Sequence, residues 1–203
     1  MIRLLLADDQ ALVRGALAAL LELESDLTVV AQVGRGDEVL HAAREHAADV
    51  ALLDVEMPGM DGITAAAELK ARHPACRSLI VTTFGRPGYV RRALDAGASG
   101  FVVKDTPAEQ LADAVRRVHR GLRVVDPDLA VESLAVGTSP LTERERDVLV
   151  AASGGGTVAD IARETFLSEG TVRNYLSAAM GKTGARTRAE AVWLAQENGW
   201  LLG

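Results

Sequence analysis

Asp8, Asp9, Asp54, Thr82 and Lys104 are the residues whose types and placement could do chemistry together. The stretch ALLDVEMPGMDG shows the pattern most clearly: Ala51, Leu52 and Leu53 read as a buried strand, yet Asp54 ends it. Pro58, Gly59, Asp61 and Gly62 then make a turn-prone segment. Two carboxylates ~4 Å apart repel by about 4 kcal/mol at an effective dielectric of 20, so three gathered together hold a proton or a hard cation. Mg²⁺ suits such oxygen ligands. A carboxylate can also attack phosphorus and form an acyl phosphate, given a metal on the phosphoryl oxygens, a cation opposite and hydrogen-bond donors. In that chemistry Asp54 is the nucleophile. Asp8 and Asp9 hold the metal, helped by a backbone carbonyl just past Asp54, while Lys104 and Thr82 hold the phosphoryl group.

Taken singly, each residue has a plainer account. An Asp at a strand end caps a helix or forms a turn, a lysine there snorkels, and a Thr is an ordinary strand residue. The conjunction carries the argument, and it depends on the elements that would bring the residues together. β-rich runs fall at 2–7, 27–33, 50–55, 78–83 and 100–104, with amphipathic helical patterns near 11–23, 36–47, 62–72, 88–96 and 107–120. Five strands alternating with five helices imply right-handed crossovers and a parallel sheet covered on both faces. Ligands of such sheets sit outside the carboxyl ends of the strands, where all five residues fall. Pro107 fits a first helical turn with Thr106 as its cap.

Val124 to Pro140 loses this rhythm and reads as a linker. Helical patterns near 142–152, 158–165, 169–181 and 187–198 follow, with cap signals at Thr142–Glu145 and Ser168. This is a second, all-helical domain. Along the 169–181 helix, Val172, Leu176, Ala179 and Met180 recur at core spacing and should pack on the 158–165 helix, whereas Arg173, Asn174 and Ser177 lie off that stripe. In a helix-turn-helix, Arg reads guanine and Asn reads adenine in the major groove. Thr171 and Lys182 are better placed for phosphates. Residues 139–203 carry seven Lys and Arg against eight Asp and Glu, so the domain is not globally basic. Between Gly170 and Arg188, however, there are four basic residues and no acidic one, and this segregation suits a small nucleic-acid footprint. Gly181 near the helix end should fray it, at a cost of up to ~1 kcal/mol against Ala.

Net charge is −6 over 203 residues, which argues against a protein that coats nucleic acid throughout. The one cysteine, Cys76, excludes an internal disulfide framework and a cysteine-based zinc site. No apolar run reaches the ~20 residues of a membrane span and the N-terminus lacks a signal-peptide pattern, so the expectation is a cytoplasmic protein without a membrane partner. VVAQVGRGDEV has a strand followed by Gly-x-Gly, but Val39 stands where a dinucleotide fingerprint needs its third glycine. A tight turn with Asp37 in the first helical turn is the better reading.

Residues 1–121 resemble the receiver domain of a two-component response regulator, through Asp8-Asp9, LLDVEMPGMDG, Thr82 and GFVVKD. The resemblance implies a flavodoxin-like fold and Mg²⁺-dependent transfer of phosphoryl from a sensor histidine kinase to Asp54. Asp8, Asp9, Asp54 and the backbone carbonyl of Glu56 would be the metal ligands. It implies too that Thr82 moves toward the phosphoryl group while an aromatic on the last strand reorients; here that aromatic is Phe101, which has no hydroxyl. After a linker at 122–139, residues 140–203 resemble the helix-turn-helix domain of LuxR-like, NarL/FixJ-type regulators, through LTERERDVL, LSEGTVRNY and the RAEAV helix. Gly154-Gly155-Gly156-Thr157, Gly181 and Thr183 depart from that pattern.

The expectation is therefore a transcriptional response regulator that dimerises on phosphorylation. Its partners would be a histidine kinase, double-stranded promoter DNA, a second copy of the chain and, as an option, RNA polymerase. VTTFGRPGYVRRALDAG, FVVKDTP and TVRNYLS look most like regulators paired with membrane-fluidity thermosensor kinases. Two other readings compete. One is a Mg²⁺-dependent phosphatase, although Glu56 stands where such enzymes commonly place a general-acid Asp. The other is an interaction module that signals without phosphorylation. Dimerisation could use the face of Arg91, Arg92 and Asp95 with the last strand and helix, or the first and fifth helices.

Overall fold

The computed structural model describes residues 1–83, 85, 87–126, 129–131 and 139–201. The chain divides into two compact units, Met1–Gly85 with Val90–Glu132, and Ser133–Gly203 with Arg86–Tyr89.

In the first unit, strands β1 (Ile2–Ala7), β2 (Leu27–Val33), β3 (Val50–Leu53), β4 (Arg77–Thr82) and β5 (Gly100–Val103) alternate with helices α1 (Ala11–Leu21), α2 (Val39–Glu45), α3 (Gly62–Arg72), α4 (Pro87–Asp95, belonging to this unit from Val90 on) and α5 (Ala108–His119). Strand order is β2-β1-β3-β4-β5, and each neighbouring pair is parallel. Val50, Ala51, Leu52 and Leu53 are all buried, as a central strand covered on both faces requires. Leu4, Leu6, Leu52, Leu79 and Val81 pack with Leu111, Val115 and Val118 of α5 in one core cluster.

Two expectations need correction. The sheet has a sixth strand, β6 (Val124–Val125), pairing parallel with Gly100 and Phe101 of β5. These valines stand at the start of the stretch read as a linker. They are β-branched, and β5 would otherwise present an unpaired edge. The N-cap of α5 is Pro107, at φ −55° and ψ 143°, and not Thr106; no side-chain cap bond is made there. The rest of the linker reading falls mostly outside the described residues.

The second unit contains α6 (Glu143–Ser153), α7 (Val158–Thr165), α8 (Glu169–Thr183) and α9 (Arg188–Glu197). Each starts on a hydroxyl cap. Thr142 with Glu145, and Thr157 with Asp160, form reciprocal capping boxes, while Ser168 and Thr187 accept from Thr171 and Glu190 amides. Val172, Leu176 and Ala179 are buried with Val148, Leu149 and Ile161, and Met180 packs against the same cluster. Helix α8 runs through Gly181 to Thr183 and ends at Gly184 in the left-handed conformation, so the expected fraying does not shorten it.

Candidate functional site

Strand register assembles the first site. Ala7 of β1 pairs with Leu53 of β3, so Asp8 and Asp54 leave neighbouring strands side by side. Thr82 pairs with Val103, which puts Lys104 one residue beyond. Asp54 is fixed by its own amide donating to the Ala7 carbonyl at 2.8 Å, and Lys104 by its amide donating to the Thr82 carbonyl at 2.7 Å. Asp8, Asp54 and Thr82 are buried, whereas Asp9 is exposed.

Lys104 Nζ lies 2.7 Å from Asp8 Oδ2 and 2.9 Å from Asp54 Oδ2. One ammonium therefore bridges two buried carboxylates and offsets the repulsion expected between them. Asp8 Oδ1 accepts from the Gln10 amide at 2.9 Å, and Asp54 Oδ1 from the Val55 amide at 2.8 Å. Burial pushes the Asp54 carboxyl above its ordinary range, against the pull of Lys104. Burial also opposes the charge on Lys104, but its hydrogen bonds to Asp8 and Asp54 outweigh this and raise its pKa. Asp8, Asp9 and Asp54 each offer a carboxylate oxygen, all within 4.8 Å of one another. This oxygen-only donor set fits a hard divalent cation.

The remaining expected residues are placed as follows. Glu56 is exposed in the loop after β3. Phe101 is wholly buried on β5. The Gly-x-Gly stretch is a packing turn: Asp37 lies in a short 3-10 turn, Gly36 N donates to Pro58 O at 3.2 Å, and Arg35 pairs with Asp37 at 2.8 Å.

Two residues were missed by sequence reasoning. Arg14 on α1 donates from Nη1 to the Asp8 carbonyl at 2.5 Å, tying the helix to the loop that carries Asp8 and Asp9. Its spacing from Asp9 was the available signal. Gly62 opens α3 with its α-carbon pressed against Asp54, since a Cβ there would lie 1.9 Å from the Asp54 carbonyl oxygen. The signal was the Asp-Gly pair that follows Pro58-Gly59, read only as a turn.

In the second unit, Arg173, Asn174 and Ser177 are exposed along α8, opposite its buried stripe. Thr171 is half-buried, its Oγ1 2.8 Å from Ser168 Oγ. Arg173 is paired with Glu169 at 2.6 Å. Lys182 places Nζ 2.7 Å from Glu145 Oε2, so its charge is tied to a buried carboxylate of α6. Burial works against the ionised form of Glu145, but Lys182 and the Thr142 amide hold its pKa below the ordinary value. Arg188 donates to the Gly156 carbonyl at 2.8 Å.

Residues 4–116 match the response regulator receiver domain family, and residues 139–195 match the luxR family of bacterial regulatory proteins. The chain is 44% identical to the transcriptional regulatory protein YvfU of Bacillus subtilis over 99% of this chain and 100% of the relative. It is 42% identical to the transcriptional regulatory protein DesR of the same organism, with the same coverage. Among solved structures, the response regulator ChrA of a heme-sensing two-component system aligns over 98% of both chains at 32% identity, with a TM-score of 0.59. An acidic rim on a parallel sheet, a capped helix-turn-helix unit and relatives matched end to end agree: the chain belongs to the response regulators that join a receiver to a luxR-family DNA-binding domain and act in transcription.

Proposed function

We propose that Asp54 accepts a phosphoryl group from a sensor histidine kinase and that this switches promoter binding by the helical domain. The observation that carries the reading is Lys104 Nζ bridging Asp54 and Asp8 beside Asp9. Asp54 is immobilised by backbone and side-chain bonds, yet its site adjoins an exposed carboxylate. Lys104 is positioned to take the oxygens of an incoming phosphoryl group, and Thr82 at the end of β4 is its neighbour through the Lys104 amide. Asp8, Asp9 and Asp54 would hold Mg²⁺ with the Glu56 carbonyl, and the ion would neutralise charge on the phosphoryl oxygens. The acyl phosphate carries roughly −1.5 to −2 charge where the carboxylate carried −1, so phosphorylation adds roughly −0.5 to −1. Lys104 would then exchange carboxylate for phosphoryl contacts, which draws on β5 and so on buried Phe101. The receiver serves its own phosphoryl transfer and loss and does not turn over small esters.

For the second copy, of the two candidate faces we favour that of α1 with α5. On α1, Leu12 is 86% exposed and Gly15, Ala16, Ala19 and Leu20 are exposed, with Leu23 exposed just beyond its end. We read Thr171, Arg173, Asn174 and Ser177 as the DNA-contacting set, with Lys182 near the same face but tethered to Glu145. We take the receiver, expected over 1–121, to run on through β6 to residue 125, and the helical domain as 140–203. Among the described residues no helix is long and apolar enough to cross a membrane, and a cytoplasmic location fits. The thermosensor pairing is tested by whether transcription of a fatty-acid desaturase gene follows this regulator after a cold shift.

The test of the phosphoryl reading is intact mass after incubation with Mg²⁺ and acetyl phosphate. One adduct on wild type and none on Asp54→Asn is expected. An adduct of equal yield on Asp54→Asn would sink the assignment.

A further inference from the structure

Phe166 ends α7 at φ 55° and ψ 38°, in the left-handed region. The residue is 95% exposed. A single exposed apolar residue needs no account by itself. A left-handed residue after a helix is also common, but it is usually Gly or Asn, because a bulky side chain crowds its own backbone there. At Phe166 the two features coincide. The cap bonds run from its backbone amide to the Ala162 and Arg163 carbonyls, and Gly or Asn would make them equally well. Thr165 and Leu167 on either side are engaged, the first bonded to the Ile161 carbonyl at 2.7 Å and the second packed on the core. The ring alone contributes nothing to the fold that holds it. A strained conformation kept without a structural return points to function.

Its place says what covers it. Phe166 stands two residues before Ser168, the N-cap of α8, whose exposed face carries Arg173, Asn174 and Ser177. The start of a recognition helix is the part that enters the major groove, so the turn just ahead of it borders the groove wall. An apolar side chain there meets deoxyribose faces and thymine methyls. We propose that Phe166 is a DNA-contacting residue, an apolar shoulder packed against the groove wall beside the bases read by α8. The proposal rests on DNA binding by the helical domain.

The test uses the full chain and a duplex selected from a random library by the wild-type protein. Phe166→Asn and Phe166→Gly relieve the backbone, so the melting temperature should hold or rise. Affinity for the selected duplex should fall about tenfold, the scale of an aromatic ring losing its cover. The slope of log affinity against log salt should not change, because no charge is removed. Phe166→Leu should recover part of the loss. Affinity within about twofold of wild type in both relieved variants would overturn the proposal. Arg173→Ala separates the two levels of argument: it should weaken binding and flatten the salt slope. If Arg173→Ala and Asn174→Ala also bind as wild type does, the DNA-reading assignment of α8 falls, and Phe166 with it.

Discussion

Gly62→Ala isolates how closely the receiver scaffold grips Asp54. A Cβ at Gly62 would sit 1.9 Å from the Asp54 carbonyl oxygen and 2.9 Å from its carbon. Carbon and oxygen approach to about 3.3 Å at best, so either Asp54 or the start of α3 must give way by more than about 1 Å. Neither can move cheaply. The Asp54 amide is bonded to Ala7 and the Gly62 amide to Val55 at 3.0 Å. The cap at Asp61 is bonded to the Ile63 and Thr64 amides. Helix propensity pulls the other way, since Ala is favoured over Gly by up to ~1 kcal/mol inside a helix. Overpacking costs typically ~1–3 kcal/mol, so with the full propensity offset the net effect is a loss of up to about 2 kcal/mol. The larger consequence is chemical, because a displacement near 1 Å can cost about a hundredfold in rate. Urea unfolding gives the first quantity, and the time course of the phosphoryl adduct from acetyl phosphate gives the second. A variant that is as stable as wild type and is phosphorylated at the wild-type rate would refute the reasoning.

Two further predictions follow from charges in the receiver. Lys104→Met leaves the buried Asp8 and Asp54 carboxylates without their shared cation, and metal-free stability should fall by about 3 kcal/mol; Mg²⁺ should restore much of it, as urea melts with and without the ion will show. Arg116 on α5 pairs with Asp26 and Glu24 at 2.6 and 2.7 Å, and its hydrogen bond lowers the Asp26 pKa from 3.8 to about 2. A depressed folded pKa gives stability that is present above 3.8 and lost as pH falls through about 2. The stability gap between wild type and Arg116→Gln should therefore be open near neutral pH and close over that window, and a gap that widens in acid would contradict the pairing.

The sequence carried the site further than it carried the fold's margins. Strand-end positions of Asp8, Asp54 and Lys104 were legible because continuous apolar runs such as VALL mark buried parallel strands, and the residue ending each run is then at the rim. β6 was not legible: two valines beside Asp126 and Pro127 have no periodicity of their own, and only the open edge of β5 makes them a strand. The tie from Lys182 to Glu145 joins residues far apart in sequence, and in a linear reading Lys182 is simply a basic residue beyond a recognition helix. Gly62 looked like turn chemistry because the crowding that demands a glycine is tertiary. The strain at Phe166 was likewise hidden, since TFLS reads as an ordinary helix end followed by a cap.

The most direct test of the account is binding of the selected duplex by the full chain before and after acetyl phosphate treatment with Mg²⁺, wild type beside Asp54→Asn, with mass followed on the same samples by light scattering. The account predicts that one phosphoryl group per wild-type chain brings dimerisation and tighter DNA binding, and that Asp54→Asn shows neither. Phosphorylated wild type that stays monomeric and binds no better, or Asp54→Asn that gains affinity under the same treatment, would contradict it.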